Sequence, residues 1–179
     1  MDFLELAKSR YSLRQMAPDR VEPEKLALIL EAGRVAPTAV NFQPQRILVL
    51  DQEEDLSRLA ECTKYHFDAP LALIISYDRT VSWTRRDGVN YGMADVSIAV
   101  TQMMLEAHSL GLGTTYVGAF DAEKLREVYE IPENLIPVAI LPIGYPGENA
   151  HPSRKHADRI PLTEMVSYHR YENHDPVCG

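Results

Sequence analysis

The run from residue 92 to 110 constrains the fold more than any other feature of this chain. It has a helical period, yet Met93, Ala94, Val96, Ile98, Ala99, Val100, Met103, Met104, Leu105 and Ala107 place apolar groups on more than one face. Such a helix cannot lie on a solvated surface, so it is buried inside the fold or against a partner subunit. Gly111-Leu112-Gly113 predicts its stop. The other elements must arrange themselves around it. Phe3, Leu4, Leu6 and Ala7 predict a short N-terminal helix over 2–9, and Pro23 suits the first turn of a second helix that runs towards Pro37. Asp51 to Leu56 opens a third helix, with its acidic residues at the positive end. Strands are predicted at Ile47–Leu50, at the continuous apolar run from Pro70 to Tyr77, at Thr114–Val117 and at Val138–Ile143. Pro142 in the last of these implies an edge strand or a bulge. Asp121 caps a short helix that runs to Tyr129.

Strands alternating with helices predict one layered domain over 1–179, either α+β or α/β, with no repeat or linker to divide it. Residues 147–179 read as a polar, extended C-terminal tail with a weak helical patch at Leu162–Val166, suited to wrapping a second subunit. A 179-residue chain with 45% hydrophobic and 25% charged residues is ordinary for a globular protein with a proper core. The net charge of −8 argues against nucleic acid or an anionic membrane as a partner. Two cysteines (Cys62 and Cys178) and six scattered histidines form no disulfide framework and no metal-spacing motif, so no metal is expected. No basic leader or long apolar run stands at the N-terminus, and the apolar stretch Ala69–Ile75 is far too short to span a bilayer. A cytoplasmic setting is the simplest reading.

Four stretches carry groups suited to chemistry. Ala36-Pro37-Thr38-Ala39-Val40-Asn41-Phe42-Gln43-Pro44 hands a helix over to short hydroxyl and amide side chains, a polar ledge able to hydrogen-bond a flat, heteroatom-rich ligand. The same residues also suit a plain helix end and turn. In Arg10-Tyr11-Ser12-Leu13-Arg14, alternation puts Arg10, Ser12 and Arg14 on one side of an extended chain. Two guanidiniums and a hydroxyl suit a phosphate or an electron-rich carbonyl; a solvated basic turn is the plain alternative. Arg154-Lys155-His156 and Arg159 form a second cationic cluster in an acidic protein. Gly111 to Phe120 runs from helix through strand to Gly118, where backbone can approach a ligand. It is no dinucleotide fingerprint, and no phosphate-binding P-loop or nucleophile elbow occurs. Asp95, in a largely apolar helix, reads either as a functional carboxylate or as a first-turn residue satisfied by backbone amides.

Taken together, SRYSLR at 9–14, APTAVNFQP at 36–44, GLGTTYVGAF at 111–120 and PIGYP at 142–146 resemble, in order, the blocks of the nitroreductase family of FMN-dependent oxidoreductases. The resemblance implies an α+β fold with a central, mainly antiparallel sheet flanked by helices. It also implies an intertwined homodimer with FMN at each subunit interface and the 92–110 helix in that interface. By position, Arg10, Tyr11, Ser12 and Arg14 would meet the flavin's phosphate, ribityl chain or pyrimidine edge. Pro37, Thr38, Ala39 and Asn41 would reach the flavin of the partner subunit. Tyr116, Val117 and Gly118 would lie near the reactive N5, and Arg159 with Lys155 would grip the phosphate. Gln45 stands where the family signature has Trp, and Ala39 replaces a hydroxyl.

The implied activity is electron transfer from NADH or NADPH through FMN to a small planar acceptor, such as a nitroaromatic or quinone, by a ping-pong mechanism. The cofactor performs the chemistry, so no side chain is nominated as catalytic. The alternatives are a non-catalytic flavin-binding or sensing protein, or a reductive dehalogenase or flavin-fragmenting relative.

Overall fold

The computed structural model describes residues 2–171 of the chain. Helices α1 (Phe3–Ser9) and α2 (Pro23–Arg34) lead through a single 3-10 turn at Ala39–Asn41 into strand β1 (Gln45–Leu50). After these come α3 (Glu53–Arg58), β2 (Leu71–Asp78), the long α4 (Gly92–Ser109), β3 (Gly113–Thr114), α5 (Ala122–Val128), β4 (Leu135–Gly144) and α6 (Leu162–Met165). The four strands form one antiparallel sheet in the order β1-β2-β4-β3. This is the open sheet with flanking helices of an α+β domain.

The unbroken apolar run in β2 reflects burial on both faces. Leu71, Leu73 and Ile75 face Ile29, Val96, Val100 and Met103 of α2 and α4, while Ala72 and Ile74 face Leu59, Leu125 and Val128 on the other side. The first residue of α4 is Gly92, where a Cβ would collide with the Tyr77 ring. It ends in a Schellman cap. Gly111 takes a φ of +80°, with Gly111 N–H bonded to His108 O at 3.1 Å and Leu112 N–H to Ala107 O at 2.9 Å. Asp121 caps α5 as expected, accepting from Lys124 N–H at 2.9 Å. One side of α4 is left uncovered in the single chain, where Met93 and Ile98 are exposed.

Three expectations need correction. Helix α2 stops at Arg34, with Val35 as its cap, before Pro37 is reached. Thr114–Val117 is not a continuous strand: pairing lapses after Thr114 and resumes only as a bridge between Val117 and Ile140. Thr115 is out of the ladder, and its hydroxyl donates to Leu13 O at 2.5 Å. Pro142 lies in an interior strand, not at an edge. Ile140 exchanges both backbone bonds with Val117 at 2.9 Å, and Pro142, two residues on, points its missing donor to the same side. That donor would fall in the lapse between Thr114 and Val117, so the proline costs no ladder bond. A bulge exists where Ile75 and Ser76 pair with Ala139 and Pro137.

After Gly147 the described chain is not simply extended: it turns at 148–149 and 154–157 and makes the single turn of α6. Cys178 lies outside the described residues.

Candidate functional site

The C-terminal end of α4 collects positive charge. Arg10 follows α1 and is half-buried, and its Nη1 is fully buried without a hydrogen-bond partner. Burial, and then the nearby Arg159, push the Arg10 guanidinium down from its ordinary value. The chain thus brings together cations separated by most of its length. Arg159 Nη1 donates to the carbonyls of His156 and Asp158, each at 2.6 Å. His156 fastens the tail to α1, with its Nε2 3.1 Å from Lys8 O and its ring edge-on to Tyr11 at 6.3 Å. His108, in the last turn of α4, sits 2.9 Å from Ser9 Oγ, and burial followed by Arg10 lowers its pKa. Two adjacent guanidiniums, one with a buried and unsatisfied N–H, call for an anion such as a phosphate. The donor set therefore fits the phosphate of a nucleotide cofactor.

Ser12 and Arg14 lie beside this cluster, lining a cleft of about 360 Å³ with Gln15, Ala150, His151 and Ser153. Alternation holds here, since Leu13 between them is buried and Ser12 bridges to Thr114. Lys155 is exposed in the turn that precedes Arg159.

The ledge at 36–44 sits at the other end of α4. Ala39 N–H donates to Asp95 Oδ1 at 2.8 Å, and Asp95 is 98% buried in the first turn of the helix (2% exposed). Both readings of Asp95 are partly met, because the amide that satisfies it comes from a distant loop. Val40, Asn41 and Gln43 have φ of 55°, 58° and 50°, left-handed values that no glycine is there to relieve. The strain is greatest at the β-branched Val40, on the order of 1–3 kcal/mol, and such strain clusters at functional sites. Thr38 Oγ1 accepts from Gln43 N–H at 3.0 Å, which leaves its own proton to donate outward. Pro37 and Asn41 are exposed, with Val40 and Phe42 beside them.

The chain between Thr114 and Asp121 runs along α4. Tyr116 is partly exposed with its hydroxyl 3.3 Å from Ser97 Oγ, Val117 is buried, and Gly118 is exposed. Beside Gly118 lies a loop that sequence reasoning missed. Thr63 Oγ1 donates to Ala119 O at 2.8 Å and Asp121 N–H to Cys62 O at 2.9 Å, which fixes Lys64 and Tyr65 along an open cleft with Phe120. Phe67 packs on Tyr65 at 6.2 Å and Lys64 Nζ lies 5.2 Å over the Tyr65 ring. Two aromatics flanking a turn between a helix and a strand were the available signal. The segment before α4 is a small hairpin in which Trp83 O accepts from Tyr91 N–H at 2.9 Å and the two rings meet at 5.0 Å.

Apart from Tyr116, Val117 and Gly118, the predicted residues therefore fall into two groups. From Asp95 to His108 the helical rise spans about 20 Å. One chain puts Arg10, Ser12, Arg14 and Arg159 at one end of α4 and residues 37–41 at the other. Among the described residues, no group of three or more His, Cys, Asp or Glu could hold a metal, and no helix is long and apolar enough to cross a membrane.

The profile of the nitroreductase family matches residues 7–67 and 62–145. A nitroreductase family protein of Clostridium difficile 630 has a similar structure, with a TM-score of 0.90 and 40% identity over 96% of this chain and 100% of its own. A protein of Methanothermobacter thermautotrophicus, assigned as an NADH dehydrogenase/NAD(P)H nitroreductase, is 35% identical over 83% of this chain and 80% of its own length. An FMN-dependent nitroreductase of Clostridium difficile R20291 matches with a TM-score of 0.79 and 26% identity, covering 94% of this chain and 100% of its own. The chain belongs to the nitroreductase family.

Proposed function

We propose that this protein is an FMN-dependent NAD(P)H oxidoreductase acting as a homodimer, with each site shared between two copies. The observation that carries this reading is the buried, unpartnered Nη1 of Arg10 beside Arg159. An anion between the guanidiniums would ease their repulsion and accept from the buried N–H, and FMN brings a phosphate. The FMN-dependent relative above supports the choice of cofactor. When bound, FMN would supply two-electron redox chemistry between NADH or NADPH and an acceptor. Arg10 and Arg159 bind its phosphate, assisted by Lys155. Tyr11, Ser12 and Arg14 would hold its ribityl and pyrimidine side, where the positive charge of Arg14 would favour negative charge on the ligand. The second copy contributes Pro37, Thr38, Ala39 and Asn41, while Tyr116, Val117 and Gly118 border the reactive edge.

Lys64, Tyr65 and Phe67 shape the acceptor side, and they suit a small planar oxidant such as a nitroaromatic or quinone. Among the described residues the covering segment is the short Trp83–Tyr91 hairpin, so donor and acceptor occupy one face in turn and the kinetics are ping-pong. The uncovered apolar side of α4, with Met93 and Ile98, is the surface the two copies share.

The test is a visible spectrum of the purified protein, followed by anaerobic addition of NADH or NADPH. Yellow protein that releases FMN on denaturation and bleaches with a nicotinamide is expected. Colourless protein that takes up no added FMN overturns the reading, and bound FMN that neither nicotinamide reduces leaves a flavin binder in place of the enzyme. Parallel double-reciprocal lines with a quinone are the expected kinetic pattern, and intersecting lines exclude ping-pong turnover.

A further inference from the structure

The loop at 38–43 is held against its own preferences. Three of its residues take left-handed backbone angles, and one of these is the β-branched Val40, for which that region is a true outlier. Its internal bonds close a turn: Asn41 N–H to Thr38 O at 3.0 Å, Phe42 N–H to Ala39 O at 3.1 Å and Gln43 N–H to Thr38 Oγ1 at 3.0 Å. Those bonds move with the loop and do not tether it. Arg46 Nη1, on the adjoining strand, donates to Gln43 O at 3.1 Å, and the tether to a distant part of the chain is Asp95, 56 residues away in sequence, through the 2.8 Å bond from Ala39 N–H. The other carboxylate oxygen, Oδ2, is buried with no partner. A core that needed only a filled position would not keep a half-satisfied carboxylate, whose burial is costly.

We propose that Asp95 is the positioning residue of the cofactor-facing ledge. Its bond to Ala39 N–H holds residues 38–43 in the left-handed turn that leaves Thr38 and Asn41 available to the flavin of a second copy. This rests on the FMN reading above. The role is conformational: Asp95 exchanges no proton and touches no reacting atom. Asn at this position keeps an acceptor oxygen for Ala39 and turns the orphan into a donor, whereas Ala removes the tether.

The experiment compares wild type, Asp95→Ala and Asp95→Asn by amide hydrogen exchange on the FMN-free protein and by FMN fluorescence quenching on the reconstituted one. In Asp95→Ala, the amides of Ala39, Asn41, Phe42 and Gln43 should exchange faster while those in the middle of α4 stay protected. FMN should bind roughly tenfold more weakly, the effect of one lost hydrogen bond to a charged group. Its absorption band should lose fine structure. Asp95→Asn should restore loop protection and bring FMN affinity within about threefold of wild type, or about 0.65 kcal/mol. Should Asp95→Ala fail to fold, Ala39→Pro removes the same bond from the loop side. Thr38 already has the extended backbone that a following proline requires (φ −130°, ψ 157°). It should show the same weakened FMN binding.

Faster loop exchange with unchanged FMN affinity and spectrum would make Asp95 a purely structural residue and overturn the proposal. So would unchanged loop exchange, or an Asn variant as impaired as the Ala variant. Wild-type protein that takes up no FMN would sink the cofactor reading and the positioning role with it, while the exchange data would still report the tether by itself.

Discussion

The two ends of α4 are unfinished in different ways. At the C-terminal end the deficit is electrostatic: Arg10 and Arg159 repel each other and a buried N–H has no acceptor. At the N-terminal end the deficit is conformational. A left-handed loop there is bonded to one buried carboxylate. An anion would relieve the first, and a surface that uses the strained shape would reward the second. About 20 Å of helix keeps them apart in one chain, so a single small ligand cannot satisfy both without a second copy. Each half of such a site is held ready by a different force and should fail in a different way.

The largest effect is expected from Ile98→Glu on the exposed side of α4. A charge buried without a partner in a shared apolar face costs several kcal/mol. Sedimentation should show a folded monomer with little bound FMN. A variant that remains dimeric, or a monomer that still holds FMN tightly, would break the comparison, since neither end would then need the other copy.

Next come Arg10→Ala and Arg159→Ala. Each loses about 1.5–3 kcal/mol of charge-assisted bonding, which is roughly ten- to a hundredfold in FMN affinity by equilibrium dialysis. The Ala39 amide should exchange no faster in either. An effect on that amide would mean that the two ends are coupled through the chain itself.

Val40→Gly tests the conformational end. Glycine accepts a φ of 55° freely, so stability against urea should rise by about 1 kcal/mol although a side chain is lost. A fall of similar size would mean that the loop carries no strain.

The smallest effect concerns pH. The folded-state pKa of His108 is lowered, by burial first and Arg10 second, so the unfolded chain binds that proton more readily. Its contribution to stability is fully present above the ordinary histidine value of about 6.5 and is lost as pH falls from there towards the lowered value. Denaturation of the FMN-free protein between pH 7 and 5 should show this loss, and His108→Gln should flatten it.

Local signals were legible in proportion to how local their physics is. The all-round apolar pattern and the glycine after it located α4 and its Schellman cap, because burial demand and a left-handed stop are written in adjacent residues. Asp121 announced its helix for the same reason. Pro142 misled, since whether a missing N–H costs a bond depends on the neighbouring strand, and that neighbour departs at Thr115 for Leu13 O. Thr63, Lys64 and Tyr65 gave little notice because what places them is a bond to Ala119 across the fold.

The amino-acid order alone determined the helices, the doubly buried strand, the family and the identity of the cationic and ledge segments, for these follow from periodicity, caps and short motifs. Only the tertiary structure decided that Arg10 meets Arg159, that Asp95 holds Ala39, and that these events lie at opposite ends of one helix. Those are contacts between residues far apart in the chain. Chain folding, not neighbouring sequence, sets their distances, and it is distance that turns two arginines into an anion site.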